Sequence, residues 1–255
     1  MLKAVTFDLW WTLIRETPEG SQHSKEERIR RIGAALLEEQ VVVDPDAISR
    51  AYEAEGARLG ALWTTFRDIG SRVQVELLLD ILQMGDRIPR SDALMDRLVE
   101  AYTLPILSAL PMPLDGASDV LAMLRARGLK LAVICNTGRT PGKVLRIVLE
   151  RLDLAKYFSA QTFSDEIGLR KPHPEIFNCT LAALGTEPQE ALHVGDTPSS
   201  DVAGARAIGM RAVYLRHERG TDSFVSGVET IHSLSGLFPL IERELPLIST
   251  SASDQ

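Results

Sequence analysis

Several side chains able to do chemistry stand where apolar sequence stops. Asp8 closes the run AVTF. Asp196 follows ALHVG, and Asp201 comes five residues later. Cys135-Asn136-Thr137 follows LAVI, and Lys171 lies in GLRKPHPEIF, just ahead of a helix that should begin at Pro174. Two carboxylates and one lysine gathered in a crevice suit a hard divalent cation and a phosphate. Magnesium takes oxygen ligands, often one or two carboxylates plus substrate phosphate. A lysine serves as a point charge on phosphate oxygens.

Such a gathering needs strands that end side by side. Lys3–Asp8 reads as a short buried strand. From about Ser24 to about Leu107 the apolar spacing is helical. Ser24 and Glu27 fit a capping box, and Asp46 could cap a second helix through Leu62. Arg72–Met84, ended by Gly85, and Ser91–Tyr102 complete this stretch. ALPMPLDG (Ala109–Gly116) is a proline-rich joint. Beyond it helices and strands alternate: helix Ala117–Arg127, strand Leu129–Cys135, helix Pro141–Leu152, strand Gln161–Phe163, helix Pro174–Leu184. Strand Glu190–Gly195, helix Asp201–Ile208, strand Met210–Leu215 and a last helix Ile231–Glu244 follow. Alternating units predict an α/β fold, a Rossmann-like open parallel sheet with helices on both faces. The expected organisation is an α/β core of residues 1–15 and 109–245, an inserted all-α cap of residues 16–108, and a flexible tail of residues 246–255. Ligands in such sheets bind at the carboxyl ends of strands, where Asp8 and Asp196 are expected.

Composition narrows the function classes. The chain has 255 residues, 45% hydrophobic and 25% charged, as an ordinary globular protein does. A net charge of -7 argues against a nucleic-acid or anionic-membrane surface. No apolar run approaches the length of a membrane span, and the N-terminus lacks a signal-peptide pattern. Two cysteines, Cys135 and Cys179, make no disulfide framework. The expectation is a cytoplasmic protein acting on a small molecule, with no nucleic-acid or membrane partner; the oligomeric state is not legible. GRTPGKV (Gly138–Val144) imitates a phosphate loop but has the wrong spacing.

The stretches FDLWWTL, VICNTG, GLRKPHPEIF and HVGDTPSSDVAGARAIGM resemble, in order, the four motifs of the haloacid dehalogenase-like (HAD) hydrolase superfamily. The helical insertion after the first motif resembles that family's C1-type cap. The resemblance implies that Asp8 attacks phosphorus and becomes an aspartyl-phosphate. It implies that Lys171 neutralises phosphate and nucleophile, that Asp196 binds Mg2+, and that Asp201 braces the site. Cys135, Asn136 and Thr137 fall where the family holds phosphate, through a small hydroxyl residue and neighbouring backbone. The metal set so implied is Asp8, Asp196 and the backbone carbonyl of Trp10.

The first motif departs from the family's phosphatase pattern, Asp-x-Asp-Gly-Thr. Trp10 stands where a second aspartate protonates the leaving group and later activates water. A tryptophan keeps the carbonyl and loses the acid. General acid–base help is worth typically about 10²–10⁴-fold, so good leaving groups such as acyl phosphates are favoured. Glu16 and Asp68 are the candidate replacements. Trp11 stands where glycine is usual, and tryptophan tolerates positive φ poorly, so a different turn is expected. The reading is a magnesium-dependent hydrolase of a small phosphorylated metabolite. One alternative is a metal-independent 2-haloacid dehalogenase, a class with an aromatic at the Trp10 position but without the acid represented by Asp196. Another is a catalytically weak phosphate- or partner-binding protein.

Overall fold

The computed structural model describes residues 1–83, 88, 91–217 and 226–244. Its centre is a six-stranded sheet in the order β5-β4-β1-β6-β7-β8, with every pairing parallel. The strands are β1 (Ala4–Phe7), β4 (Lys130–Cys135), β5 (Ala160–Phe163), β6 (Ala191–Gly195), β7 (Arg211–Leu215) and β8 (Glu229–Ile231). The fold class is therefore α/β and Rossmann-like.

Strand alternation puts successive side chains on opposite faces. Val5 and Phe7 of β1, with Leu131, Val133 and Cys135 of β4, enter one core beneath α5 (Ala117–Ala126), α6 (Gly142–Arg151) and α10 (Leu237–Glu244). Ala4, Ala132 and Ile134 face the other way, into a core with α8 (Pro174–Leu184) and α9 (Ala203–Ala207). α7 (Ser164–Ile167) is a single turn after β5.

Between Arg15 and Met112, four α-helices run among the described residues: α1 (Pro18–Glu38), α2 (Pro45–Trp63), α3 (Ser71–Ile81) and α4 (Asp92–Thr103). They bury a hydrophobic cluster of their own, including Ile32, Leu36, Ile48, Leu78, Leu98 and Tyr102. Both joints back to the sheet meet in a two-stranded antiparallel ribbon, β2 (Ile14–Arg15) with β3 (Met112–Pro113). That ribbon corrects the expectation of a plain joint at Ala109–Gly116.

Other differences are local. α1 begins at Pro18, capped by Thr17, whose Oγ1 accepts from Gly20 N at 3.0 Å. Proline at the first helical position supplies a start signal stronger than the capping-box pair. Ser24 is therefore inside the helix and buried, and Glu27 pairs with Arg30 and Arg31 instead. Asp44, again followed by proline, caps α2 in place of Asp46. The helix expected over Asp201–Ile208 starts regularly only at Ala203, because Asp201 and Val202 belong to a π-helical turn over Pro198–Val202. The segment expected as one last helix opens with β8. The end of the third expected helix, Met84 and Gly85, and the tail of residues 246–255 lie outside the described residues.

Candidate active site

Three strand ends meet. Asp8 follows β1, and its backbone N donates to Val194 O of β6 at 2.9 Å. Asp196 directly follows β6. The π-helical turn then brings Asp201 back beneath the strand end, where Thr197 N donates to Asp201 Oδ2 at 2.9 Å. Gly195 makes this return possible: a Cβ there would stand 2.3 Å from Asp201 Cγ. Asp8, Asp196 and Asp201 each offer an oxygen, all within 4.8 Å of one another.

Lys171 reaches into this group from the segment before α8. Its Nζ donates to Asp8 Oδ1 at 2.6 Å and to Ile134 O at 2.7 Å, and stands 2.7 Å from Asp201 Oδ1. Asn136 fixes the lysine's backbone: its Oδ1 accepts from Lys171 N at 2.8 Å and its Nδ2 donates to Lys171 O at 3.0 Å. The Asn136 amide thus faces the lysine backbone at both ends. Thr12 Oγ1 donates to Asp8 Oδ2 at 3.1 Å.

The electrostatics follow from burial. Burial raises the Asp8 carboxyl to about 7, with Asp201 and Asp196 adding to the rise and Lys171 opposing it. Asp196 rises to about 6 through burial and Asp201. Burial would raise Asp201 as well, but Lys171 and His193 outweigh it and hold the group below the carboxylate range. Burial alone would lower Lys171; Asp201 and Asp8 reverse that and raise it. Asp201 is thereby committed to Lys171, while Asp8 and Asp196 hold charge at an energetic cost. A divalent cation between those two would relieve both, and oxygen-only donors suit Mg2+.

The neighbours extend this picture. His193, buried in β6, has Nε2 3.3 Å from Asp201 Oδ1 and Nδ1 2.8 Å from Thr6 Oγ1. Burial lowers its pKa, which favours the neutral ring. Nε2–H then donates to the carboxylate and Nδ1 accepts from Thr6. Cys135 packs in the core, and burial raises its thiol well above the usual range. Thr137 N donates to Ser164 Oγ at 2.7 Å, and its Oγ1 donates to Asp68 Oδ2 at 3.3 Å. Asp68 is buried among Ser164 Oγ at 2.5 Å, Arg170 Nη1 at 2.5 Å and Trp63 Nε1 at 3.1 Å. Glu16 has Arg28 and Ser21 as neighbours. Both candidate replacements for the missing acid already serve other partners.

Trp10 is partly buried against the sheet core. Trp11 corrects an expectation, because the turn keeps the left-handed backbone with φ 58° despite the tryptophan. Trp11 N donates to Ile14 O at 2.7 Å, and His217 Nε2 bonds Trp11 O. Bonds at both ends of the residue hold it in a conformation that costs about 1–3 kcal/mol. Sequence reading missed His193, Arg170 and Thr12. Thr12 alone carried a local signal, four residues after Asp8 on the same turn.

A family model for the haloacid dehalogenase-like hydrolases matches residues 2–209, and the chain belongs to that family. It is a hydrolase. The haloacid dehalogenase-like hydrolase domain-containing protein 3 of Mus musculus is 29% identical over 94% of each chain. A phosphoserine phosphatase of Thermus thermophilus is 43% identical over 99 residues, 39% of each chain. The solved structure of a 2-haloacid dehalogenase from Pseudomonas syringae pv. Tomato superposes with a TM-score of 0.68 at 25% identity, covering 96% of this chain and all of that one.

Proposed function

We propose that this hydrolase cleaves a small phosphorylated metabolite, with Asp8 as nucleophile and Mg2+ as cofactor. The observation that carries the reading is the Asp8–Asp196–Asp201 cluster, neutralised on one side by Lys171. Asp8, Asp196 and the Trp10 carbonyl would hold the cation, which supplies Lewis-acid neutralisation of phosphoryl oxygens. The phosphatase relative in Thermus thermophilus supports the phosphate chemistry.

An Asp8 carboxylate oxygen forms a bond to phosphorus as the bond to the leaving oxygen breaks. Lys171 holds Asp8 in line and offsets charge on the transferring group. Asn136 acts through its grip on the Lys171 backbone, and Asp201 sets the lysine's position. The backbone after Cys135, at Asn136, would hold the phosphate; Thr137 N is already bonded to Ser164 Oγ and would not join it. Water then attacks the aspartyl-phosphate, releasing phosphate and a proton and restoring Asp8. Trp10 has no proton to give, so the leaving group departs as an anion, which favours acyl phosphates. Residues 16–108 act as the cap over this centre.

The Pseudomonas dehalogenase structure favours a second reading, halide displacement on carbon without metal. Asp196, raised to about 6 beside Asp8, argues against it, because a metal-free centre gains nothing from that acid. Hydrolysis of acetyl phosphate with Mg2+, abolished in Asp8→Asn, is the expected outcome. Halide release from 2-chloropropionate in the presence of a chelator would replace the phosphatase reading with the second one.

A further inference from the structure

Lys171 is held at its tip by Asp8, Asp201 and Ile134 O, and along its backbone by Asn136. The chain next to that backbone contact is anchored as well, by a residue of the helical insertion. Asp68 lies between α2 and α3, and its side chain is fully buried. Its carboxylate accepts from five donors. Oδ1 accepts from Trp63 Nε1 at 3.1 Å and from Ile69 N at 2.9 Å. Oδ2 accepts from Ser164 Oγ at 2.5 Å, Arg170 Nη1 at 2.5 Å and Thr137 Oγ1 at 3.3 Å. Thr137 directly follows Asn136, and Arg170 directly precedes Lys171. Both partners of the Asn136–Lys171 contact are thus one residue away from a group that Asp68 holds. Arg170 Nη1 also donates to Thr137 O at 2.5 Å, which ties the two segments to each other.

The backbone repeats the connection. Arg67 and Leu169 form an antiparallel bridge. Arg170 N donates to Phe66 O at 2.9 Å, and Asp68 N donates to Gly168 O at 3.0 Å. Phe66 sits in the left-handed region with φ 59°, which a residue other than glycine keeps only where its surroundings impose it. The Arg170 guanidinium lies 4.3 Å from the centroid of the Trp63 ring. Charge, hydrogen bonds and a cation–π contact therefore converge on Arg170 from one loop of the insertion. Water is kept away, since Asp68, Thr137, Ser164 and Arg170 are all buried.

We infer that Asp68 is a positioning residue for Lys171, acting through Arg170 and Thr137, so that the docked insertion sets where the neutralising charge stands. With five donors on its oxygens, Asp68 serves as an anchor and not as the missing acid. The task of the lysine is that of the phosphatase reading, on which this role rests; what is added is the residue that places it.

Asp68→Asn in the full chain keeps the shape of the side chain and removes the charge that holds Arg170. A misplacement of about 1 Å can cost about 10²-fold. With Mg2+ and acetyl phosphate, kcat should fall about 10–100-fold with a much smaller change in KM, the signature of a contact made in the transition state. Arg170→Met should fall as far. Arg170→Lys should keep most of the activity, because an ammonium can bond the same two oxygens. The double variant Asp68→Asn/Arg170→Met should be no slower than either single one. A loss of stability alone would leave kcat per folded molecule at the wild-type value. A crystal structure of Asp68→Asn should show Lys171 Nζ displaced from Asp8. Wild-type kcat in folded Asp68→Asn, or a lysine unmoved in its structure, overturns the positioning role and leaves the phosphatase reading standing. A displaced lysine in a protein whose wild type turns over no acetyl phosphate upholds the positioning and sinks the phosphatase reading instead.

Discussion

Lys171 Nζ lies 2.6 Å from Asp8 Oδ1, and the two side chains are 1% and 10% exposed. The same nitrogen stands 2.7 Å from Asp201. One buried cation therefore compensates two buried carboxylates. Replacing it by an apolar side chain of similar length leaves both acids without a counter-charge. Loss of one partner from such a buried pair costs about 3–5 kcal/mol. Lys171→Met should lose that much in urea denaturation and should also lose turnover. A variant of near wild-type stability would mean that the lysine is not what makes the acid cluster tolerable.

Gly195 tests the geometry beneath the cluster. A methyl group there would meet Asp201, which cannot withdraw because Lys171, His193 and Thr197 N all hold it. Overpacking of this kind costs typically about 1–3 kcal/mol. Gly195→Ala is expected to fall in that range by thermal or chemical unfolding, with activity reduced further than the stability loss explains. A crystal structure of the variant with Asp201 unmoved would contradict the argument.

The raised carboxyl groups set a pH dependence. Asp8 at about 7 and Asp196 at about 6 lie above their ordinary value of 3.8. Groups so raised favour the folded state while protonated, and that contribution is lost progressively as pH climbs from 3.8 to about 6 and about 7. Mg2+ needs the deprotonated forms, so protons compete with it at low pH. The increase in melting temperature caused by saturating Mg2+ should grow from pH 5.5 to pH 8. An increase that is constant or shrinks with pH would remove Asp8 and Asp196 from the metal site.

In the proposed mechanism Trp10 would narrow the choice of leaving group. Trp10→Asp restores a carboxylic acid two residues beyond the nucleophile. The kcat/KM for an alkyl phosphate relative to acetyl phosphate should rise at least about tenfold, a fraction of the typical general-acid contribution. Some stability should be lost, since Trp10 packs against the core. An unchanged ratio in a folded variant would show that Trp10 does not occupy the position of the proton donor.

Much of the sheet was legible because its strands are apolar runs bounded by glycine and turn residues. β8 escaped notice: it has three residues, and Glu229 and Thr230 are exposed. The β2–β3 ribbon escaped notice because each strand has two residues, and β3 lies inside the proline-rich joint. Asp8, Lys171, Asp196 and Asp201 could be picked out because a charged residue closing or following an apolar strand is an informative break in pattern. Their neighbours could not. The bonds from Asn136 to the Lys171 backbone, from His193 to Asp201 and from Arg170 to Asp68 join distant parts of the chain, and no local pattern encodes them. His193 reads as a core residue until β6 and the π-helical turn place it against Asp201. Trp11 is the reverse case: local preference argued against the left-handed turn, and bonds to Ile14 and His217 override it.

In the proposed mechanism Asp8 becomes phosphorylated. Rapid acid quench of wild-type protein with Mg2+ and radiolabelled acetyl phosphate, followed by peptide mapping, tests it directly. Label should appear on the peptide containing Asp8, should require Mg2+ and should vanish in Asp8→Asn. Steady turnover with no label on that peptide, or turnover that persists in Asp8→Asn, would contradict it.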